Sequence, residues 1–109
     1  MPRDLPGPVA GYFDADARRD TEAVVALFTD DAIVVDEGQT WTGINQIRAW
    51  RVGPAAKYEY TTEVTGTKHA GHHEYVVTGR LQGNFPGGTA DLTWRFILAD
   101  QRISRLTIA

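Results

Sequence analysis

Cysteine is absent from the 109 residues. Disulfides, Cys-ligated metals and thiol nucleophiles are therefore excluded. Lysine is scarce: Lys57 and Lys68 are the only two, and the other nine of the eleven basic residues are arginine. No long run of one charge sign occurs, and the net charge is −3. That argues against a nucleic-acid partner, which needs a basic stripe. No apolar stretch approaches the ~18 residues of a membrane helix. The opening segment MPRDLPGPV lacks the apolar core of a signal peptide, so no membrane association and a cytoplasmic location are expected.

What is present fits one globular domain. Apolar residues make up 42% and charged residues 23%, both ordinary for a folded chain. A chain of this length buries roughly two-thirds of the surface it exposes when unfolded.

Residues 1–8 carry three prolines and read as a flexible lead-in, with the domain proper over 9–109. A first helix is expected from Val9 to about Arg19, with Val9, Phe13 and Ala17 on its apolar face. Asp20 is a good N-cap for a second helix that turns Ala23, Val24, Leu27 and Phe28 inward. Ala32 to Asp36 is rich in β-branched residues and reads as a strand. Asp36-Glu37-Gly38-Gln39 forms a turn, and Thr40 to Thr42 can pair back. Residues 44–52 form a third helix, which Gly53-Pro54 ends.

Beyond Lys57 the period changes to two. Tyr58, Tyr60, Thr62 and Val64 alternate with polar neighbours. Tyr75, Val77 and Leu81 follow the same pattern, as do Leu92, Trp94, Phe96 and Leu98. Ile103 to Ile108 closes the series. The links HAGHH, GNFPGG and ADQ are short, so successive strands are expected to be antiparallel neighbours. Helices first and a strand meander after is an α+β order. A curved antiparallel sheet wrapped around three N-terminal helices leaves room for a cavity between the layers. Tyr12, Trp41, Trp50 and Trp94 are candidates for its walls, and Trp41 and Trp50 are expected to flank its entrance.

Three segments resemble the NTF2-like superfamily with its cystatin-like cone, and within it the SnoaL-like and ketosteroid-isomerase-like proteins. ALFTDDAIVVD is similar to the family's helix-exit-to-strand pattern. TWTGINQIRAW is similar to its glycine before the third helix. WRFILADQRISRLTI is similar to its closing hairpin. Together they extend the resemblance over 9–109. Counting back from Phe28 without gaps places Tyr12 on the family's oxyanion-hole tyrosine. Counting forward places Asp36 on its catalytic base. The resemblance thus implies a cofactor-independent proton transfer beside a ketone, with Asp36 as base and Tyr12 as oxyanion donor. The family's third group, a neutral carboxylic acid, falls on Leu92. Asp91 is adjacent but points to the other face.

Each candidate also has a plain structural reading. Asp36 can simply start its turn, and Tyr12 and the tryptophans can be core. His69, His72 and His73 sit in a hairpin link with poor chelating geometry, so no metal is expected. Three functional classes stand: a SnoaL-like isomerase acting on a small apolar molecule, a non-catalytic binding or accessory module, and a polyketide cyclase or epoxide hydrolase. The last needs polar groups on the inner sheet face, where Leu92, Trp94, Phe96 and Leu98 stand. Val76, Thr78, Arg80, Thr93, Arg95 and Ile97 share the outer face, through which a homodimer is expected.

Overall fold

A computed structural model describes residues 5–109. The first four residues of the expected lead-in lie outside the described residues. Helix α1 (Gly7–Ala17) begins earlier than the sequence pattern implies, taking in Gly7 and Pro8. Proline near the first helical position is compatible with helix, because the N–H it lacks has no intrahelical partner there. The buried face of α1 is Val9, Tyr12, Ala15 and Asp16, not the expected Val9, Phe13 and Ala17. Steps of four outrun a helix of 3.6 residues per turn, so Ala17 emerges into solvent while Asp16 turns inward.

Helix α2 (Thr21–Val25) is short. Its N-cap is Asp20, whose Oδ1 accepts the Ala23 N–H at 3.1 Å. Strand β1 (Phe28–Asp36) then starts four residues before the expected Ala32 and absorbs the Asp30-Asp31 pair. Strand β2 (Gln39–Thr42) returns along it. The turn between them holds Glu37 at φ 53° and Gly38 at φ 76°, left-handed conformations that suit a two-residue hairpin. Helix α3 (Gly43–Val52) follows and buries Ile47, Trp50 and Arg51. A single 3₁₀ turn (Pro54–Ala56) leads to the meander. This consists of β3 (Tyr60–Gly71), β4 (Glu74–Gly83), β5 (Thr89–Ala99) and β6 (Arg102–Ile108).

The six strands form one unclosed sheet in the order β2-β1-β6-β5-β4-β3. The sheet is mixed rather than wholly antiparallel, because β1 and β6 run parallel. The helical segment between β2 and β3 sends the chain to the far edge, and the meander then works back until β6 meets β1. Register shifts in β3 between Val64 and Gly66 and in β5–β6 beside Ile97 and Leu98 bend the strands, as bulges do.

Register also fixes the faces. Val34, Leu106, Phe96 and Tyr75 lie in one row across β1, β6, β5 and β4, and Asp36, Ile108, Trp94 and Val77 lie in the next. Their inner side packs on the helices around Val9, Val24 and Ile47, all essentially inaccessible. Tyr12 and Phe13 meet Phe96 edge-on at 5.5 and 5.9 Å, a favoured aromatic geometry. On the outer face Val76 pairs with Arg95 and Thr78 with Thr93. Arg80 and Arg95 there bond Asp91 and Glu74. Among the described residues no helix is long and apolar enough to cross a membrane.

Candidate active site

The helices do not fill the concave side of the sheet. A cavity of about 300 Å³ remains between α1, α3 and the ends of β4, β5 and β6, at the lower end of the range for small-molecule sites. Leu81, Leu92, Trp94 and Ile108 supply an apolar sheet wall. Tyr58, Phe85 and Pro86 border the cavity from the segment before β3 and the β4–β5 turn, where Tyr58 and Phe85 meet edge-on at 5.9 Å.

Asp36 stands at the last position of β1, on the inner face, and lines this cavity. It also starts the Glu37-Gly38 turn, so its turn and cavity readings coexist. Its Oδ2 accepts the Trp50 indole N–H at 3.0 Å. Burial raises the Asp36 pKa above the usual carboxylate range and outweighs the lowering by the indole hydrogen bond; Glu37 next to it adds to the rise. The result is a carboxylate held in place yet more basic than one in water.

Tyr12 is buried and lines the same cavity. Burial pushes its hydroxyl well above the ordinary phenol range, and the Asp16 carboxylate adds to the rise. Tyr12 therefore remains a protonated donor. The structure brings together five of the six residues singled out in the sequence: Tyr12, Asp36, Trp50, Leu92 and Trp94. Trp41 is the exception. It lies on edge strand β2 opposite Val34, packs against the core and does not line the cavity. Pairing with β1 sets it beyond Val34, two residues back from the cavity end of that strand.

Sequence reasoning missed a second polar group. Asp16 on α1 and Arg51 on α3 form an ion pair of 2.8 Å with side chains only 7% and 5% exposed. The same Asp16 oxygen accepts the Tyr60 hydroxyl at 2.9 Å. Burial first, and then Asp16, push the Tyr60 hydroxyl up to about 12, so it stays a donor. Burial opposes the Arg51 charge, but the Asp16 carboxylate beside it, by charge and hydrogen bond, keeps the guanidinium charged. All three residues line the cavity. Its polarity thus enters from α1, α3 and the start of β3, beside the apolar sheet wall. The seven-residue spacing from Val9 to Asp16 was the available signal.

The histidines lie elsewhere. His69 stacks on Tyr75 at 4.5 Å, and His72 and His73 form the β3–β4 turn. Among the described residues no group of three or more His, Cys, Asp or Glu side chains is placed to hold a metal.

The SnoaL-like domain model matches residues 9–106. The chain belongs to that family. Solved structures superpose over nearly its whole length. A candidate polyketide cyclase from Sinorhizobium meliloti is 38% identical, with a TM-score of 0.90 over 97% of this chain and 96% of its own. A protein of ketosteroid-isomerase-like fold from Catenulispora acidiphila, in complex with trimethylamine, is 21% identical, with a TM-score of 0.83 over 96% and 85%. A Mycobacterium tuberculosis protein in complex with estradiol-17β-hemisuccinate is 16% identical, with a TM-score of 0.78 over 93% and 88%. The last two likenesses concern the fold. No curated protein matches the chain.

Proposed function

We propose that this SnoaL-like protein binds a small, largely apolar carbonyl compound and moves a proton at the carbon beside its carbonyl. Asp36 is the base and Tyr12 is an oxyanion donor. The observation that carries this reading is Asp36 itself. It is a carboxylate of raised pKa, fixed by an indole N–H at 3.0 Å, in a cavity that also presents the protonated Tyr12 hydroxyl. A general base works best when its pKa approaches the operating pH. Burial moves Asp36 that way.

A second reading shares the first step. The 38% identical neighbour is a candidate polyketide cyclase, and such a ring closure also begins with an enolate. In that case the enolate carbon attacks an internal carbonyl instead of taking a proton back. The helix-borne polar groups remove the objection that the sheet wall is too apolar for such chemistry.

Both readings predict exchange of the α-protons of a small β,γ-unsaturated cyclic ketone with solvent deuterium, followed by proton NMR. Wild type should accelerate exchange, and Asp36→Asn should lower the catalysed rate by roughly 10²–10⁴-fold. Equal exchange with both proteins, alongside binding seen by tryptophan fluorescence, would move the assignment to a non-catalytic binding module. Product analysis with a linear poly-β-ketone thioester separates cyclisation from isomerisation.

A further inference from the structure

Among the described residues two buried side-chain nitrogens lack a partner, Trp41 Nε1 and Arg51 Nε. Only Arg51 lines the cavity. Its guanidinium carries five N–H donors. The structure pairs Nη2 with Asp16 at 2.8 Å. The group is rigidly placed. Asp16 holds it from one side, Tyr60 holds Asp16 at 2.9 Å, and the Trp50 ring lies 5.3 Å from the guanidinium carbon. Its location also matters. Tyr12 and Asp16 are four residues apart on α1 and share its buried face. Asp16, which grips the guanidinium, thus lies about one helical turn, ~6 Å along the axis, from Tyr12.

We propose that Arg51 is a second oxyanion donor, acting beside Tyr12 on the carbonyl oxygen of the ligand, with Asp16 and Tyr60 as its positioning residues. This rests on the enolate reading above. In the step, the α C–H bond breaks and its proton goes to an Asp36 oxygen. The bonding pair becomes the carbon–carbon double bond of the enolate. The carbonyl π pair moves onto oxygen, where the Tyr12 O–H and an Arg51 N–H hold it. Net charge is unchanged, since Asp36 becomes neutral as the oxygen becomes anionic. Reprotonation at carbon by Asp36 restores both groups.

The proposal also narrows the ligand. Asp16 already balances the Arg51 charge in the resting cavity, and Asp36 adds a carboxylate. An anionic ligand is thereby disfavoured. A neutral ketone or thioester, whose oxygen gains charge only during reaction, is favoured.

The probe is 4-nitrophenol, whose phenolate absorbs at longer wavelength than the phenol and mimics an enolate oxygen. Titrated below its own pKa with Asp36→Asn, whose uncharged side chain stands in for the protonated base of the enolate state, it should bind as the phenolate, whereas the charged Asp36 of wild type weakens that binding. Arg51→Gln combined with Asp16→Asn on that background removes both charges of the pair, so no buried ion is stranded, and folding is checked by circular dichroism. In that double variant the ionisation constant of the bound phenol should fall roughly ten- to a hundredfold, as expected for losing a charge-assisted hydrogen bond. Arg80→Gln, on the outer sheet face where Arg80 bonds Asp91, is the comparison on the same background and should leave the ionisation constant within about twofold, since it removes no donor from the cavity. Asp36→Asn protein that binds only neutral phenol, or none at millimolar concentration, overturns the proposal. So does an unchanged ionisation constant in the folded double variant. If ketone exchange still depends on Asp36 in that event, the base assignment stands and Tyr12 is the donor. If phenolate binding depends on Arg51 but exchange ignores Asp36, the enolate reading falls instead.

Discussion

The Asp16–Arg51 pair makes a quantitative test possible, because its two charges are among the least accessible side chains in the molecule, at 7% and 5% exposure. Arg51→Met keeps most of the stem volume and deletes the cation. Asp16 would then remain buried with the Tyr60 hydroxyl as its side-chain donor. Breaking one side of a buried pair costs about 3–5 kcal/mol. That is a large share of the ~5–15 kcal/mol that stabilises an ordinary domain. Near this chain length each kcal/mol shifts Tm by roughly 4 °C, so a fall of about 12 °C or more is expected. Asp16→Leu should cost a similar amount, since it strands Arg51 and removes the acceptor of Tyr60. The double variant removes both charges and should lose far less than the sum, because apolar replacement of a whole buried pair is often near neutral. A coupling of about 2 kcal/mol or more is expected, within the range for directly bonded residues. Urea denaturation of the four proteins closes the cycle, with a common m-value required for comparison. Two single variants that each cost under ~1 kcal/mol and add without coupling would refute the picture of a dry, mutually dependent pair.

Four further outcomes follow from the same geometry. Asp36→Asn should make the protein more stable at neutral pH. The folded Asp36 pKa lies above its unfolded value, so the native state holds more protons between the two, stability falls as pH rises through that window, and the loss is complete above the folded value; urea midpoints against pH that coincide for variant and wild type would contradict it. Tyr12→Phe should keep the edge contacts with Phe13 and Phe96 at 5.3 and 5.5 Å and hence the thermal midpoint, while lowering α-proton exchange by roughly 10²–10³. Gly79→Ala should destabilise by about 1–3 kcal/mol and alter tryptophan emission, because a Cβ there would stand 2.8 Å from the Glu63 carbonyl oxygen and 3.0 Å from the Trp94 ring; unchanged emission and stability would be the opposing result. The dimer inferred through the outer face around Val76 and Ile97 should give a light-scattering mass near twice 12.0 kDa, and a constant monomeric mass across concentrations would remove it.

The fold was readable where sequence period and turn chemistry agree. The Asp20 cap, the Asp36–Gln39 turn and the Gly53-Pro54 stop each mark a boundary with a local physical cause. The period-two runs from Tyr60 onward place Leu92 and Trp94 on one face for the same reason. The parallel union of β1 with β6 had no such local signal, since it joins segments about seventy residues apart in register. Asp16 was hidden because a carboxylate on a helix is ordinarily solvated. Its burial is meaningful only with Arg51 and Tyr60 brought to it from 35 and 44 residues away. Trp41 failed in the opposite direction: an aromatic beside a turn looks like a lip of the cavity, but register with Val34 turns it onto the core.

On the proposed reading, a division of labour between the walls compensates for Leu92. The inner face of β5 reads Leu92, Trp94 and Phe96, and those side chains must pack on helices or on ligand. A carboxylic acid at Leu92 would have to stay neutral there to be tolerated. Helix α3 offers another route. Trp50 and Arg51 are consecutive, and the turn of the helix sends the indole to Asp36 on the sheet and the guanidinium to Asp16 on α1. One helix therefore orients Asp36 and holds the Arg51 cation between the two layers. A shift of α3 would loosen both bonds together, so the proposed base and the proposed oxyanion donor stay in register with each other because they share a single support.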